Sequence, residues 1–545
     1  MWCVRVMTCK KCHILRAVVA TFRQPSIILV VLLALVARAS ARAEPDPTSE
    51  AIRNRVEQLQ SPKPAVMAGT AVLSTHLLPR VYEKRAFRPA WSDPERVAEL
   101  FDAIRALDGD GLRPGDYHLA ELEKLRARLA QGTDADTAAS YDILATDAFI
   151  LMLYHVYFGK VDPVTLFPHW NFRRDEANRI DAVKVVGDAL ESGSIRETAE
   201  RARPKHRIYE RGRKLLAEYR AIQGRGGWPA VPPGPTLEPG MSDRRVRVLR
   251  ERLAATGDLT NAPLDSDVYD ASVQEAVKRF QLRHLLTPDG TVGPATLKAL
   301  NVPVGARIDQ IRGNLERGRW VLREIEGEFV LVDVAGFDVI YSRDGKRLFE
   351  GRAQVGRPYR QTPIFRAEIA YVIFNPTWTV PPGIMKNDVM PKIRRDPRYP
   401  EQNNMSWVGG QLVQKPGPNN ALGGVKIMFP NPYLVYLHDT PNKSLFEKDD
   451  RTFSSGCIRV ERALELARLL LDDPAWDDDA IGKVVDSRRT TTVTLKRKVP
   501  ILLLYWTVDF DADGRPVFKR DAYGRDAALV KALDGSFSVG RRPKL

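Results

Sequence analysis

Apolar side chains recur at helical spacing through the first part of the chain and at strand spacing through the last part. In Glu95–Leu107, Val97, Leu100, Phe101 and Ile104 share one face, the 3.6-residue period of an amphipathic helix. Tyr141–Phe158 is apolar over most of its length and reads as a longer helix. From 44 to 223 the pattern stays helical and carries no cluster of reactive side chains, so a helical scaffold is expected there. The turn Asp108-Gly109-Asp110-Gly111 has the look of a calcium loop. It lacks the further carboxylates and the closing glutamate at the required spacing, and is read as a helix stop.

Nine of the fifteen residues from Gly226 to Gly240 are Gly or Pro, which breaks both helix and strand and marks a linker over 224–241. Residues 242–301 follow as a compact module of three helices. Val246, Leu249 and Leu253 form one stripe, Val273, Val277 and Phe280 a second, and Leu297 and Leu300 a third. Beyond about Gly305 the period changes. Phe329–Val334 and Phe337–Tyr341 are β-rich runs, and Ser342-Arg343-Asp344-Gly345-Lys346 reads as a hairpin turn. Gln354–Gly356, Tyr371–Phe374, Tyr433–Leu437, Val493–Leu495 and Ile501–Val508 add strand signals, and Glu461–Leu471 a helix. A mostly β domain over 303–545 with one or two helices is the economical reading. The chain as a whole is then a multidomain α+β protein.

The N-terminus changes the picture. Residues 1–43 carry seven basic side chains, no acidic one, and an apolar run Ile27–Ala37. Eleven residues are too few to cross a bilayer, which takes about 20. The run fits a signal-peptide core, with Ala41-Arg42-Ala43 as the cleavage pattern. An uncleaved anchor is the other reading, and either one places the remainder outside the cytoplasm, in a periplasm. Removing the segment takes seven positive charges from a formal +15 and leaves +8. Export and the lack of an aromatic–basic repeat argue against nucleic acid as the partner. An anionic wall polymer or membrane surface suits the charge better.

Three of the four cysteines (Cys3, Cys9, Cys12) lie within that segment, so the exported chain keeps Cys457 alone. A thiol that cannot close an internal disulfide is either a buried small hydrophobe or a reactive group. Cys457 stands in Ser454-Ser455-Gly456-Cys457-Ile458-Arg459-Val460, before the Glu461 helix. The small residues let backbone N–H groups such as that of Gly456 approach a substrate oxygen. The nearby helix start and Arg459 favour the thiolate. A nucleophilic cysteine needs a base, and residues 303–545 contain one histidine, His438, nineteen positions earlier. The same scarcity excludes a conventional zinc site there. No metal and no cofactor is expected.

His438, a gap of fifteen, then Ser454-Ser455-Gly456-Cys457 resembles the active-site signature of L,D-transpeptidases with a YkuD-type catalytic domain. Ser455 departs from the second histidine most members have. The longer string Tyr436-Leu437-His438-Asp439-Thr440-Pro441 … Phe453–Val460 resembles the large multidomain branch, where that serine is usual. Val355–Pro363, Asn375–Pro382, Asn420–Gly424 and Tyr523–Asp526 are similar to the same branch, and 242–301 resembles its peptidoglycan-binding module. The resemblance implies a cysteine acyl-transferase acting on peptidoglycan stem peptides. Cys457 forms a thioester at the third stem residue, D-alanine leaves, and a neighbouring stem amine takes the acyl group as a 3-3 cross-link. It implies His438 as general acid–base, a backbone carbonyl near Asp439 to orient it, and a lid over about 383–430. Arg459 then pairs a substrate carboxylate or braces the loop, and Trp378 lines the donor site or is core. With Ser455 these are the candidate substrate-binding residues. An L,D-carboxypeptidase or other cysteine hydrolase, and an idle wall-binding scaffold, are the competing readings.

Overall fold

The computed structural model describes residues 46–59, 65–132, 134–172, 180–323 and 325–536. The signal or anchor segment 1–43 lies outside them. Among the described residues no helix is long and apolar enough to cross a membrane.

The N-terminal part is helical. Pro94–Ala106 buries Val97, Leu100, Phe101 and Ile104, the face its period marks. Ala135–Phe158 is buried on nearly every side, as its unbroken apolar composition requires. The Asp108–Gly111 turn ends the first of these helices. Asp110 is fully buried, and its carboxylate takes Arg203, Arg213 and the Tyr209 hydroxyl at 2.8 to 3.0 Å. Those partners occupy the oxygens that a calcium loop would need.

One element is absent from the sequence reading. Val304–Val321 is an 18-residue helix, buried throughout from Gln310 onward. Ile308, Ile311 and Leu315 do recur at helical spacing, but the Arg, Glu, Asn and Gln residues between them are buried as well, so the stripe marks only part of what this helix buries. The burial is made possible by pairing. Glu316 meets Arg319 at 2.5 Å and accepts the Val161 N–H at 2.6 Å. Arg319 also donates to the Asp110 carbonyl. On its other side Arg317 pairs with Asp526, Arg312 with Asp534, and Asn314 exchanges hydrogen bonds with Thr507. The helix is thus the beam between scaffold and C-terminal domain. Removing one member of a buried pair leaves the other charge uncompensated, so Glu316→Ala should cost roughly 3–5 kcal/mol of stability. Urea unfolding measures this; a loss below about 1 kcal/mol would mean that the pair does not hold the two parts together.

The three module helices are Arg245–Ala255, Ala271–Leu282 and Pro294–Leu300, with the expected stripes in one small core. The Pro/Gly segment is not a free tether. It lays Val231 and Leu237 into that core, and the Trp228 indole donates to the Val302 carbonyl. The module also docks on the C-terminal domain, where His284 stacks on Phe518 and Thr287 bonds Asp449.

The C-terminal domain is built on strands β1 (Phe329–Asp333), β2 (Asp338–Arg343), β3 (Lys346–Gly356), β4 (Phe365–Phe374), β5 (Val425–Met428), β6 (Leu437–His438), β7 (Thr452–Ser454), β8 (Ile458–Val460) and β9 (Thr491–Leu504). Their order is β7-β3-β8-β6-β5-β4-β9-β1-β2, and β2 pairs again with β3. Eight strands therefore close on themselves, which removes the open edges of a flat sheet, and β7 is appended at β3. The β2–β3 turn is Asp344-Gly345, both residues at positive φ, as a two-residue hairpin needs.

Three details differ from expectation. Of Tyr433–Leu437 only Leu437 enters a strand, because Leu434 adopts φ +56° and Asn431 binds the preceding backbone through its side chain. The two late strands are one continuous strand with a register shift. The segment expected as a lid over 383–430 is a folded insertion, and its last part, from Val425, belongs to the main sheet. Short helices lead into a three-stranded sheet of Trp378–Thr379, Gln411–Gln414 and Met405–Val408. This insertion has its own core of Val380, Val389, Met405 and Leu412, and Val425–Met428 belongs to the main sheet.

Candidate active site

The sheet register sets the two candidate reactive residues on neighbouring segments. β6 runs parallel to β8, with Leu437 opposite Ile458 and His438 opposite Arg459. Cys457 immediately precedes β8, and the Ile458 N–H donates to the Tyr436 carbonyl at 3.1 Å.

No helix starts at the thiol. After Cys457 the chain enters β8, and the helix begins only at Ala463. The expected helix-terminus stabilisation of the thiolate is therefore missing. Burial pushes the half-buried thiol up from its ordinary value; the Tyr436 N–H and hydroxyl, Lys426 and Arg459 act against that rise. In this structure the thiol donates to the Leu434 carbonyl at 3.7 Å.

His438 is 4% exposed. Its Nδ1 lies 2.5 Å from the Asp439 carbonyl. A carbonyl only accepts, so Nδ1 carries the proton and Nε2 keeps its lone pair. Burial first, then Arg459 and Lys426, lower the imidazole to about 3. The Asp439 carboxylate is occupied elsewhere, by Lys443 and by the Gly424 N–H at 2.9 Å.

The loop carrying the thiol is fixed through its main chain. Gly456 holds φ +116°, a conformation that favours glycine. Its N–H donates to Ser454 Oγ at 3.1 Å, and its carbonyl accepts from Thr362 Oγ1 at 2.9 Å. Thr362 Oγ1 also receives the Gly356 N–H, and the Tyr523 hydroxyl donates to the Gly356 carbonyl at 2.6 Å. A side chain on Gly356 would strike the Arg360 carbonyl and the Thr362 N–H. These bonds give Val355–Pro363 and Tyr523–Asp526 a concrete purpose. They also correct the Gly456 assignment: its N–H is already spent on Ser454.

The remaining candidates separate. Arg459 is half-buried and donates to Gln354 Oε1 at 3.0 Å, while its Nε is buried without a partner among the described residues. Ser455 is exposed, and its hydroxyl accepts from Arg360, whose same Nη1 pairs with Asp388 of the lid at 2.7 Å. Trp378 packs on the core of the insertion, with Val380, Val389, Met405 and Leu412.

Tyr436 and Lys426 escaped the sequence reading. The Tyr436 hydroxyl interacts with the thiol. A spacing signal existed, since Tyr436 stands two residues before His438, the separation that puts side chains on one side of an extended segment. Lys426 stands opposite His438 on β5; a single lysine in an apolar strand was its only trace. Leu434, 81% exposed beside the thiol, gave no signal.

Residues 327–501 match the L,D-transpeptidase catalytic domain family, residues 242–300 a peptidoglycan-binding domain family, and residues 76–216 a scaffold domain family. A Haemophilus influenzae protein named "Putative L,D-transpeptidase" is 31% identical over 220 residues, covering 37% of this chain and 45% of the relative. The match thus spans less than half the relative's length. An L,D-transpeptidase structure from Stackebrandtia nassauensis aligns at 14% identity over 49% of this chain and 94% of its own, with a TM-score of 0.21. One from Xylanimonas cellulosilytica aligns at 18% identity over 50% and 100%, with a TM-score of 0.18. Superpositions this poor add nothing to the family match.

Proposed function

We propose that this chain, which carries an L,D-transpeptidase catalytic domain, joins peptidoglycan stem peptides in the periplasm through a thioester on Cys457. The observation that carries the reading is the imidazole of His438, oriented by Nδ1 on the Asp439 carbonyl, on the strand that pairs with the one beginning just after the Cys457 thiol.

The thiol hydrogen turns from the Leu434 carbonyl to Nε2 of His438 as Sγ attacks the carbonyl carbon of the third stem residue. The C–S bond forms, and the oxyanion is met by the N–H of Cys457 itself. His438 then passes its proton to the departing nitrogen, the C–N bond breaks and D-alanine leaves. The side-chain amine of a second stem attacks the thioester, giving its proton to His438. The C–S bond breaks, the thiol is restored, and a 3-3 cross-link results. Arg459, with its unpartnered Nε, pairs with a stem carboxylate.

Water is the competing acceptor, and the lid excludes it. Arg360 ties the lid residue Asp388 to Ser455 of the nucleophile loop. An exposed ion pair of this kind is worth about 0.2–1 kcal/mol. Asp388→Asn should therefore raise the ratio of hydrolysed to cross-linked product by up to roughly fivefold, with D-alanine release little changed. An unchanged ratio would remove the latch from the account.

The reading is tested by incubating the protein with purified tetrapeptide stems and weighing the products. Transpeptidation predicts a dimer that has lost one D-alanine. Tripeptide without dimer would make the protein an L,D-carboxypeptidase, and no released D-alanine would reject both activities.

A further inference from the structure

Proton transfer from Cys457 leaves a thiolate that nothing on its own strand turn neutralises. No helix terminus lies there. The charged groups acting on the thiol come from neighbouring elements: Lys426 of β5 and Arg459 of β8. Tyr436, just before β6, interacts with it, His438 follows on β6 under the influence of the same Arg459 and Lys426, and Arg357, after β3, acts on Arg459.

The two cations are held differently. Arg459 is aimed at Gln354 by its 3.0 Å hydrogen bond. Lys426 has no carboxylate partner among the described residues. Its ammonium sits 3.9 Å from the centre of the Tyr436 ring, whose hydroxyl interacts with the thiol. The side chain is half-buried on a strand whose neighbours Val425 and Ile427 are fully buried. Burial lowers this lysine, and the one group that acts to restore its charge is Cys457. Packing alone accounts poorly for the placement: a cation over an aromatic face gains about 0.5–1 kcal/mol at an exposed site, and an apolar residue would fill the same space without the cost of burying a charge.

We propose that Lys426 is the counter-ion of the Cys457 thiolate, a positioning residue that acts through the Tyr436 ring and the field across the β5–β6 pair. The assignment rests on the reading of Cys457 as nucleophile. Lys426 has a second effect of matching sense. The same positive charge disfavours imidazolium at His438, so the proton taken by His438 is readily given up to the leaving amine.

The test is the pH dependence of Cys457 alkylation by iodoacetamide in the full-length protein, followed by peptide mapping and with no stem peptide present. A charge within a few ångströms shifts a thiol by about one to three pH units. Lys426→Met should accordingly move the alkylation midpoint up by about one unit, a roughly tenfold slower reaction at pH 8. Lys426→Arg should restore the midpoint to within a few tenths of a unit, and both variants should melt close to wild type. If Lys426→Met fails to fold, Lys426→Gln carries the same expectation. A midpoint unmoved by loss of the charge, or moved equally by Lys426→Arg, overturns the assignment. Because no stem is used, that failure leaves the product test of the proposed function standing.

Discussion

The Cys457→Ala protein is expected to release D-alanine from tetrapeptide stems on the order of 10⁴–10⁶-fold more slowly than wild type, the loss seen when a covalent nucleophile is removed. Its fold should survive. The side chain is small and half-buried, and its hydrogen bond is a long sulfur contact of 3.7 Å. The loop is held by groups the substitution does not touch: Ser454 to the Gly456 N–H, and Thr362 to the Gly456 carbonyl. Melting temperature and D-alanine release, measured on the same preparation, separate chemistry from folding. Release within about tenfold of wild type by a well-folded variant would remove Cys457 from the mechanism.

His438→Ala should lower acylation by roughly 10²–10⁴-fold near pH 7, the usual worth of a positioned general acid–base. The pH behaviour is more diagnostic than the size. An imidazole lowered to about 3 is already a base throughout the neutral range, so wild-type activity should show no acid limb near 6.5. With the thiol pushed up, alkylation should climb with pH without the neutral plateau of a preformed thiolate–imidazolium pair. In His438→Ala, high pH should recover alkylation but not D-alanine release, because the leaving amine still lacks an acid. A variant that releases D-alanine at near wild-type rate around pH 7 would assign the proton transfers to another group. The same residue sets a stability trend. His438 binds its proton less readily folded than unfolded, so its penalty is absent above about 6.5 and grows as pH falls toward 3, by up to roughly 1.4 kcal/mol per unit. His438→Ala should flatten that slope.

Much of this architecture was legible because local and tertiary preferences agree. The module stripes, the Asp344-Gly345 turn and the face of Pro94–Ala106 each follow one period and bury what that period marks. The Val304–Val321 helix was illegible for the opposite reason. Its apolar stripe, Ile308, Ile311 and Leu315, is too narrow to announce a helix buried on every side, and only the partners Val161, Asp110, Asp526 and Asp534, each distant in sequence, make burial of its charged residues tolerable. At the site, scarcity singled out Cys457 and His438: one thiol and one imidazole in 243 residues. What scarcity does not reveal is the hydrogen-bond traffic. Gly456 looked like an oxyanion donor until Ser454 was seen to occupy its N–H. The strand expected over Tyr433–Leu437 begins only at Leu437, because Asn431 satisfies backbone groups of Tyr433 and Val435 that a neighbouring strand would otherwise take.

The central claim is a covalent acyl–enzyme on Cys457, and rapid acid quench followed by intact-mass measurement and peptide mapping tests it most directly. With tetrapeptide stems the protein should gain the mass of the stem less D-alanine, mapped to the peptide containing Cys457 and released by hydroxylamine as a thioester is. An adduct on any other residue would contradict the account.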